Sequence, residues 1–173
     1  EGHLPLREAL AIATQLAGAL DHAHARGIIH RDVKPSNVML AGDCMPRLAD
    51  FGVARLLSAS GVTRPRTRIG TAPYLSPEAF LGEPIDARGD IWSLGIVLYE
   101  MLAGSVPFTG RTDMRIVRAI LNDPLPDLRA TRPEAPDTLL VLLDDMLAKD
   151  PAERIASARV VAERLRKISG EQQ

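Results

Sequence analysis

The sequence IWSLGIVLYEMLA, residues 91–103, is the feature that most limits how this chain can fold. Its apolar side chains would cover every side of a helix, and the run is interrupted by Ser93 and Glu100. A helix that is apolar nearly all round is buried, and this one is too short to cross a bilayer. We therefore predict a central helix at about 90–104, capped by Asp90 at its start, on which the rest of the chain packs.

Other helices are predicted on both sides of the central one. Apolar residues recur at helical spacing across residues 5–25, which predicts a long amphipathic helix beginning at Pro5 and ending at Gly27. The C-terminal part, about 111–168, carries three further helical patterns. Each of these follows a Gly, Pro or Ser signal, and they lie near 111–122, 137–148 and 157–168.

Short β-like runs lie between the first helix and the central helix. GIIH (27–30), NVML (37–40) and the beginning of PRLADFG (46–52) favour strands, and AGDCMP reads as a hairpin turn. Residues 53–77 show no periodicity, and a loop of this length in a compact domain is usually functional. The order of elements predicts an α+β domain that is mainly helical.

Composition limits the class of protein. The chain has 173 residues, 46% of them hydrophobic, and a net charge of −1, so we expect one domain without a nucleic-acid-binding face. The single cysteine, Cys44, excludes an intrachain disulfide and fits a reducing, cytoplasmic location. No secretory signal is visible, and the chain begins at Glu1 directly before a helical pattern. We therefore expect a piece of a longer protein, whose other parts could carry a membrane anchor.

Two short motifs bring together the groups needed for phosphoryl transfer. HRDVKPSN, residues 30–37, supplies Asp32, Lys34 and Asn37, and DFG supplies Asp50 soon afterwards. Carboxylate and amide oxygens suit Mg²⁺, a carboxylate can accept a proton from an attacking hydroxyl, and an ammonium can neutralise a transferring phosphate. These residue types at this spacing point to transfer of a phosphoryl group from a nucleotide.

The full set of motifs resembles one family. HRDxKxxN, DFG, GTxxYxxPE, DxWSLG and DPxxR occur in the order and spacing of the C-terminal lobe of a protein kinase. The chain is most similar to the bacterial Hanks-type serine/threonine kinases, and the resemblance covers essentially all of residues 1–173. It implies a kinase-like α+β fold without an N-terminal lobe in this chain. It also implies a catalytic loop at 30–37 and an activation segment at 50–78.

The resemblance implies a role for each residue of the site. Asp32 would be the catalytic base, and Lys34 would contact the γ-phosphate of ATP. Asn37 and Asp50 would hold Mg²⁺, with Mn²⁺ as a possible substitute. Met39 matches the position that forms the floor of the adenine pocket.

It also implies several supporting contacts. Thr71 would hydrogen-bond the catalytic aspartate and lysine, and Asp90 would brace the backbone of the catalytic loop. Glu78 would pair with Arg154 in a structural ion pair. His30 is expected to be a core histidine, packed against a phenylalanine, and not a base.

The long loop at residues 53–77 carries two threonines among arginines, and two interpretations of it stay open. The first reading is a solvated, charged loop. The second is an activation loop in which phosphate on Thr63 or Thr67 pairs with Arg31 and with neighbouring arginines such as Arg55. The position of Arg31, directly before the catalytic aspartate, favours the second reading. The sequence does not decide between the two threonines.

The residues before His30 contain neither a glycine-rich phosphate loop nor a VAxK lysine. Two functions therefore stay open. The first is the C-terminal lobe of a serine/threonine kinase that acts on protein substrates, is inactive as an isolated chain and needs the N-terminal lobe of its parent as partner. The second is a non-catalytic binding module that acts through its helical face. Retention of all four site residues favours the first.

Overall fold

The computed structural model describes residues 2–40, 46–49 and 71–171. Within these ranges the helices are α1 (Leu6–His24), α2 (Pro77–Leu81), α3 (Ala87–Ala103), α4 (Asp113–Asn122), α5 (Asp137–Met146) and α6 (Ala158–Glu171). Strands β1 (Val38–Leu40) and β2 (Pro46–Leu48) form a small sheet, and single 3₁₀ turns lie at Pro35–Asn37, Ala72–Tyr74 and Leu128–Ala130. The prediction of a mainly helical α+β fold with a short hairpin is confirmed.

Helix α3 lies at the centre of the core, as its apolar sequence predicted. Its side chains are buried on all sides, among them those of Ile91, Trp92, Leu94, Ile96 and Leu98. No helix in the described part of the chain is long and apolar enough to cross a membrane.

The predicted cap of this helix was wrong. Helix α3 begins at Ala87, and the carboxylate of Asp86 accepts a hydrogen bond from the backbone N–H of Arg88 at 2.7 Å. Asp90 therefore lies inside the first turn of the helix, and its carboxylate is directed to another part of the fold. Both aspartates precede the apolar run, so sequence alone did not show which of them caps it.

Helix α1 packs its apolar stripe against both α3 and α6. The predicted stripe is buried from Leu10 to Ala23, whereas Leu6 is only partly covered. Helix α6 contributes the buried side chains of Val161, Leu165 and Ile168 to the same core. The core therefore fixes the end of α1, which leads directly into the HRDVKPSN segment.

A glycine in α3 allows a close contact with the end of α5. A Cβ atom built on Gly95 would lie 2.9 Å from Cδ2 of Leu147 and 3.2 Å from Cβ of Met146. Any side chain at position 95 would push α3 and the end of α5 apart. Close packing therefore explains the glycine in the sequence WSLG.

The predicted hairpin is present, whereas the predicted strand at 27–30 is not. Strands β1 and β2 are antiparallel, with Val38 opposite Leu48 and Met39 opposite Arg47. The turn between them lies outside the described residues. Gly27 adopts a left-handed conformation with φ of 70°, and residues 28–33 form neither helix nor strand. The backbone N–H groups of His30 and Arg31 donate to a side chain in place of a neighbouring strand.

Two distant parts of the chain are joined by a buried ion pair between Glu78 in α2 and Arg154. The arginine donates to both carboxylate oxygens, at 2.9 and 3.1 Å, and the two side chains are 2% exposed or less. Arg154 also donates to the backbone oxygens of Arg88 and Ala148. Burial alone would raise the pKa of Glu78, but the hydrogen bonds and charge of Arg154 hold it below its usual value.

We predict that Glu78→Gln lowers the free energy of unfolding by about 3–5 kcal/mol at neutral pH, because the variant leaves a buried guanidinium without its counter-charge. A lowered pKa means that the stabilisation is complete above the unfolded value, near pH 4.3, and is lost as pH falls through the folded value. The difference between wild type and variant should therefore shrink in acid. Urea denaturation of both proteins at neutral and acidic pH measures it.

The double variant Glu78→Gln/Arg154→Met is the matched control, since it removes both charges. It should lose less stability than Glu78→Gln alone. A difference between wild type and Glu78→Gln that stays constant with pH would contradict the assignment.

Candidate active site

The HRDVKPSN segment is held in place from beneath by the carboxylate of Asp90. This carboxylate is fully buried and accepts hydrogen bonds from the backbone N–H of His30 at 2.8 Å and of Arg31 at 2.7 Å. Arg31 has φ of 65°, a left-handed conformation that is uncommon for residues other than glycine. A strained backbone of this kind persists only when its surroundings fix it, and the paired N–H bonds to one carboxylate supply that constraint.

A third contact to Asp90 comes from His24, at the end of α1. The Nε2 atom of His24 lies 2.7 Å from Oδ2 of Asp90, and the His24 side chain is 11% exposed. The sequence analysis did not single out this residue. A histidine in the last turn of a helix carries no local signal of a partner 66 residues away.

Four predicted site residues meet above this support. One oxygen of Asp32 lies 2.8 Å from Nζ of Lys34 and accepts a hydrogen bond from the side-chain amide of Asn37 at 3.0 Å. The same amide donates to the backbone oxygen of Asp32 at 2.8 Å. Lys34 also donates to Oγ1 of Thr71 at 3.0 Å, although the two residues are 37 positions apart in sequence. The site is thus built from two separate segments joined by one ammonium group.

Proline shapes the local backbone between these residues. Pro35 occupies the first position of the 3₁₀ turn Pro35–Asn37, where its missing N–H needs no partner. The turn closes with the N–H of Asn37 on the oxygen of Lys34 at 3.0 Å. This places the Asn37 side chain back over Asp32, with Asn37 buried and the Asp32 side chain 32% exposed.

The segment after Thr71 is held by the two polar residues that interrupt the apolar sequence of α3. Ser93 donates from Oγ to the backbone oxygen of Tyr74 at 2.8 Å. The hydroxyl of Tyr74 donates to Oε2 of Glu100 at 2.8 Å. Burial, followed by the Glu100 contact, raises the pKa of Tyr74 well above its usual range, so the phenol stays protonated and donating.

His30 has the structural role that its sequence suggested. It is 1% exposed, its Nε2 lies 2.8 Å from the backbone oxygen of Ala49, and its Nδ1 accepts from the N–H of Asp32 at 3.3 Å. It therefore ties the HRDVKPSN segment to the residue after β2. Its predicted contact with Phe51 lies outside the described residues.

Other predicted site residues lie elsewhere or beyond the described ranges. Asp50, predicted to hold magnesium, and the predicted phosphorylation sites Thr63 and Thr67 lie outside the described residues. Met39, the predicted floor of the adenine pocket, lies in β1 and is 57% exposed. In residues 2–40, 46–49 and 71–171, no three carboxylate, histidine or cysteine side chains cluster as a metal site.

The described part of the magnesium donor set fits the ion. Asn37 uses its amide nitrogen in both of its contacts with Asp32, and an amide oxygen is the atom that would ligate a hard cation. A site that takes one or two protein ligands and completes its shell with substrate phosphates is the usual arrangement for magnesium. Protein side chains alone therefore do not have to complete the coordination shell of the ion.

The arrangement has a definite chemical capability. A partly exposed carboxylate is held in one orientation by an amide and an ammonium, next to a hydroxyl. The carboxylate can accept a proton from a hydroxyl brought to it, and the ammonium can stabilise negative charge that develops nearby. Positioning of this kind supplies most of the catalysis in phosphoryl transfer.

Comparisons with known proteins place the chain in one family. Residues 1–165 match the model of the protein kinase domain. The serine/threonine-protein kinase PknD of Mycobacterium tuberculosis (strain CDC 1551 / Oshkosh) is 42% identical over 158 residues, which cover 91% of this chain and 24% of that protein. PknB of Mycolicibacterium smegmatis is 42% identical over 161 residues, covering 91% and 26% respectively.

A third relative is matched along nearly all of this chain. PknB of Mycobacterium leprae is 39% identical over 174 residues, which cover 99% of this chain and 28% of that protein. The chain thus spans about a quarter of the length of the curated relatives that it matches.

Proposed function

This chain belongs to the protein kinase family, as its motifs predicted, and from that premise we propose that its parent protein is a serine/threonine protein kinase. In this proposal the parent transfers the γ-phosphate of ATP to serine or threonine hydroxyls of protein substrates. Residues 1–173 supply the C-terminal lobe. The observation that carries the proposal is the meeting of Asp32, Lys34, Asn37 and Thr71 at hydrogen-bonding distances.

Each residue contributes one function. Asp32 orients the substrate hydroxyl and accepts its proton, because its carboxylate is partly exposed and fixed by Asn37. Lys34 stabilises the charge on the phosphoryl group in transfer. The Lys34 side chain is 13% exposed, so water screens its charge less than that of a surface lysine.

Thr71 links the site to the activation segment. Its hydroxyl accepts from Lys34, and Tyr74, three residues later, is anchored to α3. Lysine two positions after Asp32, together with Thr71 in GTxxY, is the pattern that resembles serine/threonine kinases, and it supports the serine/threonine assignment.

Asn37 and Asp50 are the residues proposed to hold Mg²⁺ with ATP. The ion, when bound, bridges the phosphates and neutralises charge that develops on them. The relatives named above are serine/threonine kinases, and the family generally uses ATP with magnesium. The residue pattern of this chain supports the same cofactors.

We predict that Asp32→Asn in the full-length parent lowers kcat by about 10²–10⁴, the usual worth of a positioned general base. The amide keeps the size of the side chain but cannot accept the substrate proton. Transfer of labelled phosphate from ATP to a generic basic protein measures the rate. Asp86→Asn, which changes an exposed aspartate that caps α3, is the matched control and should leave kcat unchanged. Equal rates for wild type and Asp32→Asn would refute the role of Asp32.

We also propose that the 173-residue chain alone does not transfer phosphate. Its residues before His30 contain no glycine-rich loop to cover the phosphates and no lysine to pair with them. We predict that it binds Mg-ATP with a dissociation constant above about 1 mM. This corresponds to a binding free energy weaker than roughly 4 kcal/mol. Titration calorimetry on the isolated chain tests this. Micromolar binding would show that residues 1–173 position the nucleotide without further parts.

A further inference from the structure

A small cavity lies between the segment that follows α4 and the outer face of α5. Its volume is about 210 Å³. It shares no residue with the candidate active site. Four leucines and two aspartates provide most of its lining: Leu125, Leu128, Leu140, Leu143, Asp127 and Asp144.

The apolar wall of this cavity is firmly supported. Leu128 and Leu143 are 2% and 1% exposed and belong to the main core. Leu125 and Leu140 are partly buried and pack against that core. A wall backed by the core keeps its shape without a ligand, which favours binding because little has to be ordered when a ligand arrives.

The two aspartates are not neutralised by the cations around them. Arg129 pairs with Asp137 at 2.5 Å, and Arg164 pairs with Asp145 at 2.5 Å. Asp127 accepts a hydrogen bond from the backbone N–H of Arg129 at 2.9 Å. Among the residues that the structure describes, no arginine, lysine or histidine forms an ion pair with Asp127 or Asp144.

Neighbouring negative charges act on Asp144. Burial raises the pKa of Asp144, and the negative charges of Asp145 and Asp127 raise it further. A cation placed between Asp127 and Asp144 would remove this repulsion. The cavity therefore combines an apolar wall with a surplus of negative charge.

We propose that this cavity is a docking site for an arginine side chain presented by an extended segment of a protein partner. The cavity is smaller than the roughly 300–1,000 Å³ of most small-molecule sites, so it suits one long side chain. The aliphatic part of arginine would lie on the leucines, and its guanidinium would reach both carboxylates. Lysine offers a single compact charge without the planar fork, so arginine is the better fit.

Binding at this site requires no phosphate transfer, so the inference stands apart from the proposed function. The chain itself contains a sequence of the required kind, GVTRPRTRIG (residues 61–70), which presents three arginines on a short stretch. A peptide of this sequence is therefore the probe. A second peptide carries lysine in place of each arginine, and a third carries glutamine.

We predict that the 173-residue chain binds the arginine peptide, as measured by fluorescence anisotropy of labelled peptides. The lysine peptide should bind several-fold more weakly, and the glutamine peptide should not bind. Asp127→Asn/Asp144→Asn should weaken binding of the arginine peptide at least about tenfold. The asparagine at 127 keeps the oxygen that accepts from Arg129, so the fold should be unaffected, and circular dichroism checks this.

Glu8→Gln/Glu163→Gln is the matched control, since it also removes two exposed carboxylates, one from α1 and one from α6. It should bind the peptide as wild type does. Equal weakening by both double variants would show general charge attraction and overturn the proposal. Equal binding of the lysine and arginine peptides would overturn the guanidinium assignment. As a second readout, methyl signals of Leu125 and Leu140 should shift on binding, and unshifted signals with bound peptide would place the peptide elsewhere.

Discussion

The candidate active site depends on one buried carboxylate, that of Asp90. It is fully buried and accepts from the N–H groups of His30 and Arg31 while His24 lies against it. Burying a charge is costly unless it is well hydrogen-bonded, and here the hydrogen bonds go to a loop with no strand or helix of its own. The loop therefore takes its conformation from α3 and has no regular backbone pairing to hold it.

The polar residues of α3 explain how a core helix can organise a surface site. Asp90 holds the segment that carries Asp32 and Lys34, whereas Ser93 and Glu100 hold Tyr74 in the segment that begins with Thr71. The two segments meet where Lys34 contacts Thr71. Since α3 is packed on all sides by the core, these supports are rigid, and the distances in the site follow from the packing of the helix.

Much of this arrangement could be predicted from the sequence, for physical reasons. The central helix and the stripe of α1 were predictable because burial imposes a periodic pattern on local sequence. The contacts among Asp32, Lys34 and Asn37 were predictable because the three residues lie within one short segment. The strand predicted at residues 27–30 was wrong because β-like side chains there belong to a backbone whose partner is Asp90, about sixty residues away.

Long-range partners account for the other differences. Asp86 and Asp90 look alike as helix caps, and only the fold shows that one caps α3 and the other supports the loop. The contact between His24 and Asp90 was not predictable from local sequence, because the packing of α1 on α3 creates it. A local sequence pattern indicates which interactions a residue can form, whereas the tertiary structure determines which partner it contacts.

Amide hydrogen exchange in Asp90→Asn tests the central claim most directly. The variant keeps the shape of the side chain but replaces one accepting oxygen with an amide that must face an N–H donor. Hydrogen bonds to charged groups contribute about 1.5–3 kcal/mol, so exchange at His30 and Arg31 should accelerate by about 10- to 100-fold. Amides of the α3 core should stay as slow as in wild type, and Asp86→Asn should leave the His30 and Arg31 amides protected. Unchanged exchange at His30 and Arg31 in Asp90→Asn would contradict the account, because the loop would then be held by something other than this carboxylate.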